Sequence, residues 1–186
     1  QIFIYTTNSD FIFANTTAAL ERLRLNIFGA RIFTSANGYC LDTFTVLENT
    51  GRPIGRNPKR LAEVKSVLVA SLTAGNKPLQ PARFRRTRKE KYFGQRVEAN
   101  LINTADKNYS TLEVNCPDQP GILACVGKIF VDNGVHLKDA RITTLGERVE
   151  DLFFVTDARG QAITDTTAVD TLLDEIKSQL EARLAA

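Results

Sequence analysis

The chain of 186 residues is 43% hydrophobic and 24% charged with a net charge of +3, ordinary values for one large folded domain or two of smaller size. No apolar run approaches the roughly eighteen residues of a membrane span and no basic, apolar leader is visible, so no membrane association and a cytoplasmic location are expected. Cys40, Cys116 and Cys125 fall in no CxxC spacing, which argues against a disulfide framework or zinc knuckle and for buried thiols.

The chain starts at Gln1, inside an apolar run and without an initiator Met, and is expected to be part of something longer. Ile2 to Tyr5 reads as a short strand. Asn8, Ser9 or Asp10 can cap a helix that runs to about Leu25, with Phe13, Leu20 and Leu23 inward and Arg22 and Arg24 in water. Asn26 to Ser35 and Tyr39 to Glu48 are strands joined at Asn37-Gly38, a strong hairpin signal. A second helix spans Asn57 to about Leu72, with Pro58 in its first turn and Leu61, Val64, Leu68 and Leu72 as its apolar stripe.

From Thr73 to Phe93 the composition shifts to Pro, Gly and basic residues, ending in Arg83-Phe84-Arg85-Arg86-Thr87-Arg88-Lys89. This is the natural linker. Clustered Arg beside an aromatic is also compatible with a nucleic-acid contact, but the modest net charge and the lack of a second basic face favour a solvated connector. Arg96 to Thr104 alternates through Val97, Ala99 and Leu101 and hairpins through Ala105 to Asn108 into a strand at Thr111 to Cys116. Pro117, Asp118, Pro120 and Gly121 break that strand. Leu123, Val126, Ile129 and Phe130 then fall at helical spacing, and Asn133-Gly134 supplies the stop. Two strands follow, Val135 to Thr144 and Val149 to Asp157, about a turn at Leu145-Gly146-Glu147-Arg148, and the last helix spans Thr166 to Leu184.

The two halves are a repeat. At an offset of about 110 residues, Ala30-Arg31-Ile32 overlies Ala140-Arg141-Ile142 and Leu20 overlies Phe130. With one residue less in the hairpin, Asp42 meets Asp151, Gly51 meets Gly160 and Ile54 meets Ile163. Because the second half ends on a helix, the Arg96 strand is expected to fill its vacant edge beside the Thr111 strand, giving the order ββαββα.

The loop ahead of the third helix is the candidate binding element. Free backbone N–H groups at a helix start carry partial positive charge and can seat a carboxylate. Gly121 permits close approach and Asp118 can accept from an ammonium group. The plainer alternative is that Asp118 caps the helix and Pro120-Gly121 only turns the chain. In the first half the corresponding loop is Asn8, Ser9 and Asp10, followed by a bulky Phe11 where the second half has Gly121. No catalytic or metal-ligating residue is assigned. His136, the only His, lies at a strand start, no nucleophile has a base beside it, and Glu150 and Asp151 point to opposite faces of a strand.

The pattern D-x-P-G-I-L, within DQPGILACVGKIF and followed by DARITTLGERVEDLFFVTD, resembles the C-terminal tandem ACT-domain region of bacterial PII-uridylyltransferase/uridylyl-removing enzymes. The resemblance implies an α+β fold of two ferredoxin-like ACT modules, residues 1–75 and 95–186, joined by the basic linker 76–94, each an antiparallel sheet with two helices on one face. It implies that the fragment is not itself an enzyme and binds no cofactor. The nucleotidyltransferase and hydrolase centres, with their Mg, would lie in upstream domains. The expected ligand is glutamine, and the expected partners are the upstream domains, the PII protein through the parent enzyme, and a second copy through ACT sheet edges.

On this view the ligand meets Asp118, Gln119, Pro120, Gly121, Ile122 and Leu123, together with His136, Leu137 and Lys138 on the following strand, or Asn8, Ser9 and Asp10 in the first module. Two other readings remain. One is a docking module without a ligand. The other is an RNA-binding ferredoxin-like module, for which Phe153-Phe154 is suggestive but the Arg/Lys-Gly-aromatic run is missing.

Overall fold

The computed structural model describes residues 1–73, 96–145 and 148–185. Period-two alternation becomes strands with one buried face, as at β1 (Ile2–Thr7), β2 (Leu25–Phe33) and β3 (Tyr39–Glu48). In the second half the strands are β4 (Glu98–Asn103), β5 (Ser110–Pro117), β6 (His136–Leu145) and β7 (Arg148–Thr156). Helical spacing becomes α1 (Ile12–Arg22), α2 (Pro58–Thr73), α3 (Ile122–Asp132) and α4 (Thr166–Ala185). The basic linker and the Gly146-Glu147 turn lie outside the described residues.

The strands form one antiparallel sheet in the order β1-β3-β2-β6-β7-β5-β4. The expected edge pairing is present: β4 runs antiparallel to β5, with Ala99 opposite Val114 and Leu101 opposite Leu112. Ser110 Oγ donates to Asn103 Oδ1 at 2.6 Å and accepts from Ile163 N–H at 2.8 Å, while Asn103 Nδ2 donates to the Ile163 carbonyl at 2.9 Å. These bonds tie β4 to the second half, which is therefore ββαββα. The first half is βαββα, and the halves join where β2 pairs with β6, from Gly29 opposite Thr143 to Phe33 opposite Asp139.

Packed on one side of the sheet, α1 touches both α2 and α3, and α3 touches α4. The core runs without a break across the two halves. Phe153 on β7 is fully buried between Phe13 of α1, edge-on at 6.0 Å, and Phe130 of α3, edge-on at 5.3 Å. Small residues let α1 and α3 approach: a Cβ on Gly127 would lie 2.8 Å from the Ala14 Cα. The opposite face of the sheet is open and carries Phe3, Tyr5, Phe33 and Leu41 exposed.

Backbone conformations repeat with the sequence. Gly51 and Gly160 turn at φ 75° and 74°, and each closes a bond from its N–H to the residue three before it, Glu48 or Asp157. Arg24 takes φ 57° where its counterpart Gly134 takes 63°. That reversal corrects the expected helix to Leu25: α1 stops at Arg22, and Leu25 already starts β2. Capping by Asn8, Ser9 or Asp10 is also corrected. The N-cap is Phe11 with no side-chain cap, because Ser9 carbonyl accepts the Ile12 N–H at 3.2 Å in a backbone turn. Leu61, placed on the apolar stripe of α2, is 45% exposed, since Val64, Leu68 and Ser71 form the buried side.

Arg24→Gly is expected to raise stability by about 1 kcal/mol in urea unfolding, because the left-handed conformation costs an L side chain about 1–2 kcal/mol and glycine nothing. Gly127→Ala should do the opposite of what helix propensity dictates. Alanine normally gains about 1 kcal/mol in a helix, but here its Cβ meets Ala14 backbone, so Tm falls.

Candidate functional site

The loop between β5 and α3 is shaped by Gly121, which holds φ 85° as the N-cap of α3 with no side-chain cap bond. Asp118 therefore does not cap the helix. Gln119 carbonyl accepts the Ile122 N–H at 3.3 Å, the same backbone turn as in the first half. Ile122 is buried in the core and Leu123 half-buried against it, so these two contribute backbone, not side chain, to the loop surface. Above Gly121 lies Arg183 from the last turn of α4. Its Nε and Nη2 donate to the Pro120 carbonyl at 3.0 and 2.7 Å, and Nη2 also meets Glu21 Oε1 of α1 at 2.5 Å. The Glu21 side chain is 3% exposed.

The strand residues expected beside this loop are elsewhere. Pro117 is opposite Arg148, next to the Leu145 end of β6, whereas His136 is opposite Thr156 at its other end. Along a ten-residue strand that separation is on the order of 30 Å. A single ligand thus does not span Gly121 and His136 to Lys138. Instead the start of β6 meets the first-half loop. His136 Nδ1 is 2.7 Å from Asp10 Oδ1, and Leu137 lines a narrow cleft with Asn8, Ser9 and Asp10. Asn8 N–H donates to Gly38 carbonyl at 2.8 Å. Lys138 turns outward, its Nζ donating to Asn108 Oδ1 at 3.1 Å. Of the twelve candidate residues, six form the second loop, and Asn8, Ser9, Asp10, His136 and Leu137 gather at the first, with the Lys138 side chain turned away.

Beneath each loop sits a buried aspartate that the sequence reading aligned but did not assign. Asp42 and Asp151 are each 1% exposed. Asp151 Oδ1 accepts the Thr143 N–H at 3.2 Å, and Asp42 takes the equivalent bond from the Phe33 N–H, while Asp151 Oδ2 and Asp42 Oδ1 have no partner. Burial pushes both carboxyls up to about 7, opposed by those backbone N–H bonds, and Asp118 adds repulsion at Asp151. Although Asp118 lies on an exposed loop, surrounding protein pushes its carboxyl up as well. The signal for this pair was present: an acidic residue at an inward-facing position of the same strand in both repeats. Arg183 and Glu21 left none, because they are 162 residues apart.

The buried thiols are not activated as nucleophiles. Cys40 and Cys116 thiols are pushed up to about 11 and about 12 by burial and then by Asp42 or Asp151, so they stay protonated and unreactive. Among the described residues no group of three or more His, Cys, Asp and Glu could hold a metal, and no helix is long and apolar enough to cross a membrane. Phe153 is in the core and Phe154 packs edge-on against Tyr109, so that pair offers no exposed stacking platform. A groove of about 560 Å³ between the end of α3 and the start of α4 has some of its polar atoms engaged within the chain. Asp157 Oδ1 accepts from Arg159 and Gln161 N–H, and Asp165 Oδ1 from Ala168 N–H.

Residues 110–181 match the ACT domain family. The bifunctional uridylyltransferase/uridylyl-removing enzyme of Pseudomonas fluorescens is 42% identical over 180 residues, 97% of this chain and 20% of that protein. The enzyme of the same description from Stutzerimonas stutzeri is 42% identical over 181 residues, again 97% of this chain and 20% of that protein. The chain thus spans about a fifth of the length of the curated relatives it matches, and it is homologous to a region of them. Among solved structures, aspartate kinase from Synechocystis superposes with a TM-score of 0.48 at 12% identity, covering 98% of this chain and 27% of that one.

The raised carboxyls make a pH prediction. Native Asp42 and Asp151 hold protons that the unfolded chain releases near pH 4, so their contribution to stability is full below that pH and is lost as pH rises through about 7. Asp151→Asn, which keeps the acceptor for Thr143, should unfold in urea about 2 kcal/mol later than wild type at pH 8 and within about 1 kcal/mol of it at pH 5.

Proposed function

We propose, on the premise that this ACT-containing chain is a region of a bifunctional uridylyltransferase/uridylyl-removing enzyme, that it is the region that senses glutamine. Occupancy would govern transfer of uridylyl groups to the PII protein and their removal, both carried out by upstream domains. The observation that carries this reading is the loop at Asp118 to Leu123. A left-handed glycine opens a helix whose first N–H groups have no side-chain cap, and a carboxylate is the natural partner of such a helix start. Asp118 beside it offers an acceptor to an ammonium group. An α-amino acid carries both complementary charges.

The energetics are modest. A millimolar dissociation constant corresponds to about 4 kcal/mol, and each charge-assisted hydrogen bond contributes about 1.5–3 kcal/mol. Two or three such bonds suffice after the cost of binding. For regulation the ligand must prefer one arrangement of the halves over another.

A second reading, docking without a ligand, is favoured by one observation: the open sheet face exposes Phe3 at 66% and Tyr5 at 70%. Calorimetric titration of the 186-residue chain separates the two. Heat with glutamine in the millimolar range, none with single-stranded RNA, and about ten-fold weaker binding by Asp118→Asn at unchanged Tm are expected. Silence with glutamine in wild type and every variant would leave docking. Gly121→Val is unsuitable as a test of the loop, since a Cβ there would lie 1.6 Å from Arg183 Nη2 and strain a left-handed backbone.

A further inference from the structure

The ion pair between Arg183 and Glu21 is placed where a ligand of the second loop would have to go. A Cβ on Gly121 would fall 1.6 Å from Arg183 Nη2 and 2.3 Å from Glu21 Oε1, so both charged groups rest on the open side of the glycine. The guanidinium is anchored by Pro120 carbonyl, a fixed point of the same loop, through two of its nitrogens. It also meets a carboxylate, that of Glu21. That carboxylate comes from α1 of the first half, and it is held at the positive end of α3 in the second.

We infer that Arg183 is the receptor for the ligand's α-carboxylate and that Glu21 is an internal competitor occupying it when no ligand is bound. This deepens the glutamine reading and rests on it. The two carboxylates are chemically alike, so exchange preserves the bond that Arg183 makes while breaking an ion pair between α4 of the second half and α1 of the first. Burial sharpens the competition. Arg183 is 16% and Glu21 3% exposed, so water screens the attraction between them weakly and a second carboxylate at the guanidinium competes directly with Glu21. Binding would therefore release α1 from α4 as a direct consequence of filling the loop. The first loop has no such device. Phe11 stands in place of Gly121, and Asp10, an exposed carboxylate, contacts His136 at the start of a strand.

The test is glutamine titration of the whole chain with Glu21→Gln, Arg183→Gln and the double variant, each checked for Tm. Glu21→Gln removes the competing charge and should tighten binding roughly five-fold or more. Arg183→Gln should weaken it about ten-fold or more, and Glu21→Gln should then add nothing in the double variant. Where Arg183→Gln does not fold, Arg183→Lys keeps the charge but loses the two-pronged geometry, and a few-fold weakening is expected. If wild type binds glutamine and Glu21→Gln leaves the affinity unchanged or weaker, the competition is overturned while glutamine sensing stands. If wild type is silent and Glu21→Gln binds, the pair is a closed latch and the inference holds. Silence in both overturns the inference together with the reading beneath it.

Discussion

Strands β2 and β6 lie side by side with Ala30 opposite Ile142, Arg31 opposite Arg141 and Ile32 opposite Ala140. These are the residues that the repeat equates with one another, so the joint is a pseudo-two-fold axis through the arginine pair. Without it each half would present a long unpaired edge, a row of unsatisfied main-chain donors and acceptors. With it the halves share one sheet and one core. Two like charges directly opposite on neighbouring strands are unfavourable. Here Arg141 lies 5.7 Å from the centroid of the Phe154 ring, a face that attracts cations, and both side chains reach the open, hydrated side of the sheet.

The axis decides what each loop meets. Because it reverses one half relative to the other, the first loop receives the start of β6 and the second loop receives the end of α1. Each loop is completed in part by the other half. The duplication has kept the scaffold at both places: the backbone turn that opens the helix, the buried aspartate under the loop, and the left-handed residue after the helix. It has changed the chemistry above them. One loop has an arginine, a buried glutamate and a glycine; the other has an aspartate paired with a histidine, over a cleft of only about 20 Å³ bordered by a phenylalanine. That volume is enough for about one water. The two places are thus alike in frame and different in capacity.

Much of the fold was legible because it rests on local pattern. Alternation at Leu112, Val114 and Cys116, the Asn37-Gly38 turn and the Asn133-Gly134 stop each specify their element from neighbouring residues. The edge position of β4 followed from an argument about satisfying main-chain groups. The end of α1 was misjudged because Arg24 takes a conformation that sequence marks only when glycine occupies it. The loop was found from Asp118, Pro120 and Gly121, but its surroundings were not. Which strand end faces which loop depends on how the halves join, and that pairing is written in neither half alone. The same holds for Arg183 and Glu21, whose meeting requires α1, α3 and α4 to be packed first.

The sheet and the helices are not equally able to move. Joining β2 to β6 are several cooperative main-chain pairings above a continuous apolar core, and partial separation would expose Phe153 and its neighbours to water. The helix layer is held across the halves by packing at Ala14 and Gly127 and, at one end, by the ion pair of Arg183 with Glu21. Exchange of one carboxylate for another at that end changes no apolar burial and leaves the sheet intact. A displacement driven by a ligand bound with only a few kcal/mol must follow the softer of the two layers. It would therefore appear as a shift of α1 and α4 relative to each other over a fixed sheet.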